Sequence, residues 1–482
     1  MPFNSINKKT YQLLLLFFFI SLCFPTYAEE ILPKEIELLA KKQNIPTDSL
    51  SIIVQPATSE TRLINLNSKV KRTPASVVKL FTAFVAIDHL GPDFHWTTKV
   101  FTTDSISDGE VDSLIFQGGG DPYISIERLE GMVAELRNLG IKTINEGLIV
   151  DQKFFQQRQT STADFDDDPL RPYNIMHTSF LVNSNKIDFK VKKYSNNTIA
   201  IEPEFLPDGV LFTNDLELGS GSCSDFRDNV NFRQIKMPKH PADLFIHVDG
   251  KYPRNCFEFE HDLSLTDANH YFFGVFKNLW LKSGGSFNGY IREGKVPLSI
   301  KPIVTFDSPS LDKIIIEGVK ESDNLIARNL FLSLNQSSGN KNHKASRRIM
   351  REVLKNNNVS LNYNTFFENG SGLSRKTAIK PESILSLLKA IKQHPSSDIF
   401  MRSLPISGVD GTLENQYKTD LLTSRLKLKT GTLDGVSGLA GFVTGLSGTE
   451  YMFVFLHNDI PDHPYKISSF REGLLNWVVN DI

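Results

Sequence analysis

Cysteine is scarce in this chain: three residues in 482, one of them, Cys23, within the first 28. Neither a C-x-x-C pair nor an H-E-x-x-H stretch occurs, and the histidines are scattered, so a metal site has no support in the sequence. Charge of one sign is lacking too. A formal net charge of −2 supplies no basic field to attract nucleic acid, and that class of partner is disfavoured. No apolar run is long enough to cross a bilayer comfortably. The run from Leu13 to Phe24, interrupted by Ser21, spans about twelve residues, well short of a membrane helix. Internal repeats and long low-complexity segments are also absent.

What that short run does fit is a secretory signal. Lys8 and Lys9 precede it, and Thr26-Tyr27-Ala28 supplies small residues for a cut after Ala28. The expectation is export to the periplasm with residues 1–28 removed; the competing reading is a retained membrane anchor. Lipidation at Cys23 is opposed by the bulky Leu22 before it. An exported chain left with Cys223 and Cys256 can form one disulfide, favoured here over two separate buried thiols.

At 482 residues the chain exceeds one ordinary core, so two or more domains, or one domain with a large insertion, are expected. Pro33 to Gln43 reads as a short amphipathic helix, and Ser51–Val54 and Arg62–Leu66 as strands across a polar turn. Thr73-Pro74 then reads as the N-cap and first residue of a helix ending near Gly91-Pro92. Its residues Val77, Val78, Leu80, Phe81, Phe84, Val85 and Ile87 leave little polar surface, as in a helix at a domain centre. From about Phe101 to Ser299 short strands and turns dominate. Helical patterns return within Ser308–Leu334 and Pro381–Gln393. Strands are expected at Arg425–Lys429, Leu439–Thr444 and Glu450–Leu456, and a closing helix at Ser468–Val479. The two ends share one style and the middle reads as an insertion. The predicted class is α+β, an antiparallel sheet flanked by helices, formed by residues 29–102 and 300–482, with β-rich material from 103–299 inserted.

Three short motifs carry chemistry. Ser76-Val77-Val78-Lys79 is S-x-x-K, Ser322-Asp323-Asn324 is S-D-N and Lys429-Thr430-Gly431 is K-T-G, a set shared by penicillin-binding proteins and class A β-lactamases. S-x-x-K alone says little, since it also begins at Ser5, Ser68, Ser310, Ser338, Ser386 and Ser424. S-D-N and K-T-G each occur once. Ser76 differs from the other serines in standing at the start of an apolar helix, where backbone N–H groups stabilise negative charge. A serine hydroxyl needs a base to become a nucleophile, and Lys79, three residues on, shares its helix face. A lysine serves as base only when neutral, and burial beside a second cation, here Lys429, favours that form. Ser322 and Asn324 project from a junction between an Ile-rich segment and a helix starting near Leu325, placed to relay a proton and orient a substrate amide. Lys429 and Thr430 suit a terminal carboxylate, Gly431 permits close approach to the strand, and the N–H groups of Ser76 and Thr432 suit an oxyanion hole.

With these motifs stand Gly118-Gly119-Gly120-Asp121-Pro122, Asn369-Gly370-Ser371-Gly372-Leu373-Ser374-Arg375 and Ser407-Gly408-Val409-Asp410-Gly411-Thr412-Leu413. The series, spread from Pro74 to Leu433, resembles the class C, low-molecular-mass penicillin-binding proteins: D-alanyl-D-alanine carboxypeptidases and endopeptidases of the penicillin-binding protein 4 type. The resemblance implies a penicillin-recognising transpeptidase-like domain with material inserted between the first two motifs. It implies peptidoglycan peptides as substrate, β-lactam antibiotics as covalent inhibitors, and no cofactor. The insertion argues against a simple β-lactamase. A β-lactamase or esterase using the same residues, and a catalytically silent wall-binding protein, remain as alternatives; the last would be expected to carry a broken motif, and none is broken. Two departures concern substrate preference. The family's W-x-W-[DN]-D and Y-S-A-P stretches are replaced by residues 164–168 and by Tyr173-Asn174-Ile175-Met176. Asp168 falls at the last acidic position, where the resemblance implies a contact with a diaminopimelate amine. Asn369 stands where the family usually has an acid.

Overall fold

A computed structural model describes residues 31–155, 165–223, 226–236, 244–265, 267–335, 342–458 and 464–481. The expected signal segment, 1–28, lies outside the described residues. The chain is α+β. Its first sheet is antiparallel throughout, in the order Leu426–Leu433, Val436–Thr444, Glu450–Asn458, Leu50–Pro56, Ile64–Leu66. Both faces of this sheet are covered, which is why its strands read as apolar runs rather than as alternation. Ala440, Phe442, Met452, Val454 and Leu456 enter one core, with the central helix Lys79–Leu90 and the helices Leu311–Lys320, Asn324–Ser333, His343–Asn356 and Pro381–Gln393. Their neighbours Leu439, Val443, Phe453 and Phe455 enter another core, against the helices Lys34–Lys42 and Pro464–Val479.

Between Lys79–Leu90 and Leu311–Lys320 the chain builds three more sheets. One is mixed: Thr143–Asp151 runs parallel to Glu110–Gln117, which pairs antiparallel to Thr97–Thr102, and that strand to Val304–Asp307. The others are three-stranded: Val210–Gly219, Leu244–Pro253 and Val230–Lys236 in one, Glu258–Ser264, Lys186–Lys193 and Ile199–Pro203 in the other. Cys223 and Cys256 are joined by a disulfide across 33 residues. Two long helices, Ile126–Asn138 and Ala268–Lys282, and the short Phe226–Asn229 also occur among the described residues of this stretch, where strands and turns are expected to dominate. Their signals are ordinary: Ser125 and Asp267 cap the first turns, and Leu129, Met132, Val133 and Leu136 recur at helical spacing. Phe272 and Phe276 of the second helix pack ring to ring with Phe116 and Phe180, with centroids 4.8 to 5.8 Å apart.

Loops of this middle stretch dock on the helices that carry S-D-N. The Gly120 carbonyl accepts from Asn329 Nδ2 at 3.0 Å, the Ile175 carbonyl from the Arg328 guanidinium, and Tyr123 donates to Glu317 at 2.5 Å. The three glycines of the Gly118–Pro122 segment permit close packing within the middle stretch. A β-carbon at Gly118 would stand 2.0 Å from the Ser179 carbonyl oxygen, and one at Gly119 2.3 Å from that of Thr97.

Candidate active site

The nucleophile candidate sits in a different local structure from the one expected. Thr73 does not cap a helix. Its N–H donates to Asn458 Oδ1 at 2.7 Å and its carbonyl accepts from Asn458 Nδ2 at 3.1 Å, so the end of a sheet strand holds it. Ala75 then takes φ +46°, a conformation unusual for a residue with a side chain. A single 3₁₀ turn, Ala75–Val78, carries Ser76, and the α-helix begins only at Lys79. In a 3₁₀ turn side chains three apart eclipse, which sets Ser76 and Lys79 over one another. The reason for the turn lies in tertiary packing. A β-carbon at Gly431 would stand 2.7 Å from the Pro74 carbonyl oxygen and 3.0 Å from Ser76 N; at Gly372 it would stand 2.1 Å from the Ala75 carbonyl oxygen. Gly438, the cross-strand partner of Gly431, lies beneath Pro74 and Val77. Backbone packs on backbone here, which only glycine allows.

Lys79 is 1% exposed and its amine has three neighbours. Nζ lies 2.9 Å from Ser76 Oγ, 2.7 Å from Asn324 Oδ1 and 2.6 Å from the Ser371 carbonyl oxygen. Asn324 is 245 residues away in sequence. Its amide is oriented by a second bond, Nδ2 donating to the Tyr173 carbonyl at 3.2 Å. A neutral amine has two N–H donors and one lone pair. The amide oxygen and the carbonyl can only accept; the hydroxyl is the partner that can donate. Three such neighbours suit an ammonium that gives three hydrogen bonds, and equally a neutral amine that gives two and receives one from the hydroxyl. Burial pushes the Lys79 pKa well below the usual lysine range, and the charges of Lys429 and Arg328 push the same way against Asp323.

S-D-N occupies the junction between two helices. Ser322 takes φ +61° between Leu311–Lys320 and Asn324–Ser333, and Asp323 caps the second helix by accepting from Ile326 N–H at 2.7 Å. The middle residue of the motif is thus the cap, and Asn324 is left to reach the Lys79 amine. Ser322 and Asn324 also form one wall of a cleft of about 400 Å³, opposite Pro122, Tyr123, Tyr173 and Lys186.

K-T-G lies on the edge strand Leu426–Leu433. Lys429 is fully buried, and its pKa is lowered to about 7 by burial, with Glu321 pulling the other way. Its amine donates to the Thr430 carbonyl at 3.0 Å. Thr430 Oγ1 lies 2.9 Å from Thr412 Oγ1, and Asp410 of the same segment pairs with Lys320, so residues 410–412 link the strand to the helix before Ser322. Thr432 is exposed at the strand end.

The structure brings Ser76, Lys79 and Asn324 into direct contact, packs Gly431 on the Ser76 backbone and sets Lys429 within electrostatic reach of Lys79. It does not bring Asp168 to them. Asp168 accepts from Arg171 Nε at 2.5 Å and lines a separate cavity with Arg171, Phe226, Phe232 and His261. Asp166 accepts from the hydroxyl of Tyr173, a residue of the cleft wall, at 2.6 Å. Sequence reasoning assigns no part to the Ser371 carbonyl, Gly372, Gly438, Thr412 or Asn458. The glycines flanking Ser371 are the available signal for the first two. Among the described residues no His, Cys, Asp or Glu cluster could hold a metal ion.

A serine held against a buried lysine, with a second buried lysine on the adjoining strand, marks a candidate active-serine site on a sheet flanked by helices. The sequence pattern of the D-Ala-D-Ala carboxypeptidase 3 (S13) family matches residues 32–477, and the chain belongs to that family. It is 24% identical to D-alanyl-D-alanine carboxypeptidase DacB of Haemophilus influenzae over 470 residues, 96% of this chain and 95% of that protein. It is 26% identical to a D-alanyl-D-alanine carboxypeptidase of Actinomadura sp. (strain R39), over 84% of this chain and 77% of the relative. Its fold matches the crystal structure of penicillin binding protein 4 from Haemophilus influenzae with a TM-score of 0.76 at 23% identity, covering 92% of this chain and 99% of the other.

Proposed function

We propose that the protein is a serine-type D-Ala-D-Ala carboxypeptidase, with endopeptidase capacity, acting on peptidoglycan peptides through an acyl-enzyme on Ser76. The observation that carries this reading is the three-partner setting of the Lys79 amine, 2.9 Å from Ser76 Oγ. Ser76 Oγ attacks the carbonyl carbon of the penultimate D-alanine while its proton passes to Lys79 Nζ. The N–H groups of Ser76 and Thr432 stabilise the oxyanion. The C–N bond then breaks, and the proton passes through Ser322 to the leaving amine. Asn324 orients the substrate amide. Lys429, protonated, and Thr430 hold the terminal carboxylate. Water, deprotonated by Lys79, releases the acyl group from Ser76. β-Lactams, which mimic the D-Ala-D-Ala end, acylate the same oxygen. No resident cofactor is required.

Residues 29–102 and 300–482 supply this chemistry, and 103–299 form the accessory part, whose mixed sheet also takes in the strands Thr97–Thr102 and Val304–Asp307. The mature enzyme works in the periplasm after cleavage near Ala28. The test is labelling with a fluorescent penicillin followed by mapping of the modified peptide. The label is expected on the peptide containing Ser76; a label on any other serine rejects the assignment. Digestion of purified peptidoglycan fragments, read by mass, separates the two activities: loss of one alanine marks the carboxypeptidase, separation of dimeric fragments the endopeptidase.

A further inference from the structure

Lys79 has a third partner that belongs to none of the three motifs. The Ser371 carbonyl reaches its amine at 2.6 Å, and that carbonyl is turned inward by Asn369. Asn369 Oδ1 accepts from Ser371 N–H at 3.1 Å, Ser371 Oγ at 3.1 Å and Gly372 N–H at 3.3 Å, while Nδ2 donates to the Leu373 carbonyl at 2.9 Å. The turn is pinned from the helix side as well, since Thr82, one turn beyond Lys79, donates to the Gly370 carbonyl at 2.6 Å. Gly370 and Gly372 both take positive φ, and β-carbons there would collide with Phe331 and with the Ala75 carbonyl. The turn therefore has one arrangement, and one side chain organises it.

We propose that Asn369 is a positioning residue for the reaction described above: its amide holds the Ser371 carbonyl against the Lys79 amine and, being uncharged, sets no carboxylate beside that amine. The inference rests on Lys79 acting as the base. A carboxylate at this position would accept the same three donors, but it would bring a negative charge into a buried turn and lose the bond to Leu373. Negative charge near Lys79 favours the ammonium form. The charges that already face this region are Lys429 from the edge strand, Asp323 and Arg328 from the helix Asn324–Ser333, and Glu368 beside the turn, tied to Ser374 Oγ and Lys376. Asn369 adds nothing to that balance.

The test is the pH profile of penicillin acylation of Ser76, measured by single-turnover labelling of the full-length protein. In Asn369→Asp the acid limb is expected to move to higher pH by about one unit, because the lysine must lose its proton against a nearby carboxylate. Asn369→Ser, which keeps an uncharged acceptor, is expected to label more slowly with its acid limb unmoved. Thr82→Val is expected to do the same by loosening the turn without altering charge. An unmoved limb in Asn369→Asp overturns the proposal; so does a limb moved equally in all three variants. If wild-type protein takes no label at Ser76, the proposed function itself fails, which is a different result from either.

Discussion

Two groups of lysines sit in this molecule under opposite conditions. Lys190 and Lys192, on the strand Lys186–Lys193 of the middle stretch, stand in water beside carboxylates. Lys190 meets Glu260 at 2.8 Å, Lys192 meets Glu202 at 2.8 Å, and these hydrogen bonds raise both pKa values. Lys79 and Lys429 lie in the body of the sheet-and-helix region, sealed from water, and burial lowers both. The side chain is the same in all four. What differs is whether solvent can share the charge. The exposed pairs blunt the surface of a small sheet and contribute little to stability. Burial disfavours the charged form of both buried amines, which water would leave protonated.

Removing one buried amine should break this contrast most visibly. Lys79→Met is expected to slow penicillin acylation of Ser76 on the order of 10³-fold, since the hydroxyl loses its base. Its melting temperature is expected to stay level or rise, because an apolar chain of similar length replaces a buried polar group. Parallel labelling and thermal denaturation would check both halves; a large fall in melting temperature would contradict the second.

Lys429 sharpens the contrast through pH. Its folded pKa of about 7 is below the ordinary lysine value of 10.5. Between those values the unfolded chain binds more protons than the folded one, so this group's contribution to stability grows as pH rises from about 7 to 10.5. Lys429→Met should therefore show its greatest melting-temperature gain over wild type at or below pH 7, narrowing toward pH 10. The functional sign is opposite. Carboxylate binding needs the ammonium form, so KM for a peptide with a free C-terminus is expected to rise as pH passes above about 7. The smallest effect belongs to the exposed set. Lys190→Met is expected to change neither the melting temperature nor the labelling rate measurably.

Much of the site is legible in the sequence, because its chemistry needs particular residue types at fixed short spacings. Ser76 with Lys79, and Ser322 with Asn324, are local pairs, and their apolar or capping context separates them from similar triplets elsewhere. The two covered faces of the first sheet are legible in runs such as Phe453–Leu456. What the sequence hides is imposed from a distance. Nothing local says that Thr73 is held by Asn458 rather than capping a helix, or that Ala75 turns to positive φ. Both follow from strands more than three hundred residues later in the chain, as the 385-residue separation of Thr73 and Asn458 records. The contact of the Ser371 carbonyl with Lys79 is hidden for another reason: a backbone oxygen has no signature of its own, and only the glycines around it hint at close packing. Asp168 shows how far a resemblance alone reaches. Its expected role rests on resemblance across a stretch whose aromatic and proline framework has changed, and the side chain pairs with Arg171 instead.

The glycine contacts beneath Ser76 also bear on when the protein can become reactive. The surfaces that shape the serine's turn come from Gly372, Gly431 and Gly438, each 296 or more residues beyond Ser76. During synthesis the serine and its lysine leave the ribosome long before those residues exist. A nascent or truncated chain ending before residue 438 holds the reactive pair but not the mould that gives it form. Competence to cut a peptide thus waits for the strands that bear Gly431 and Gly438.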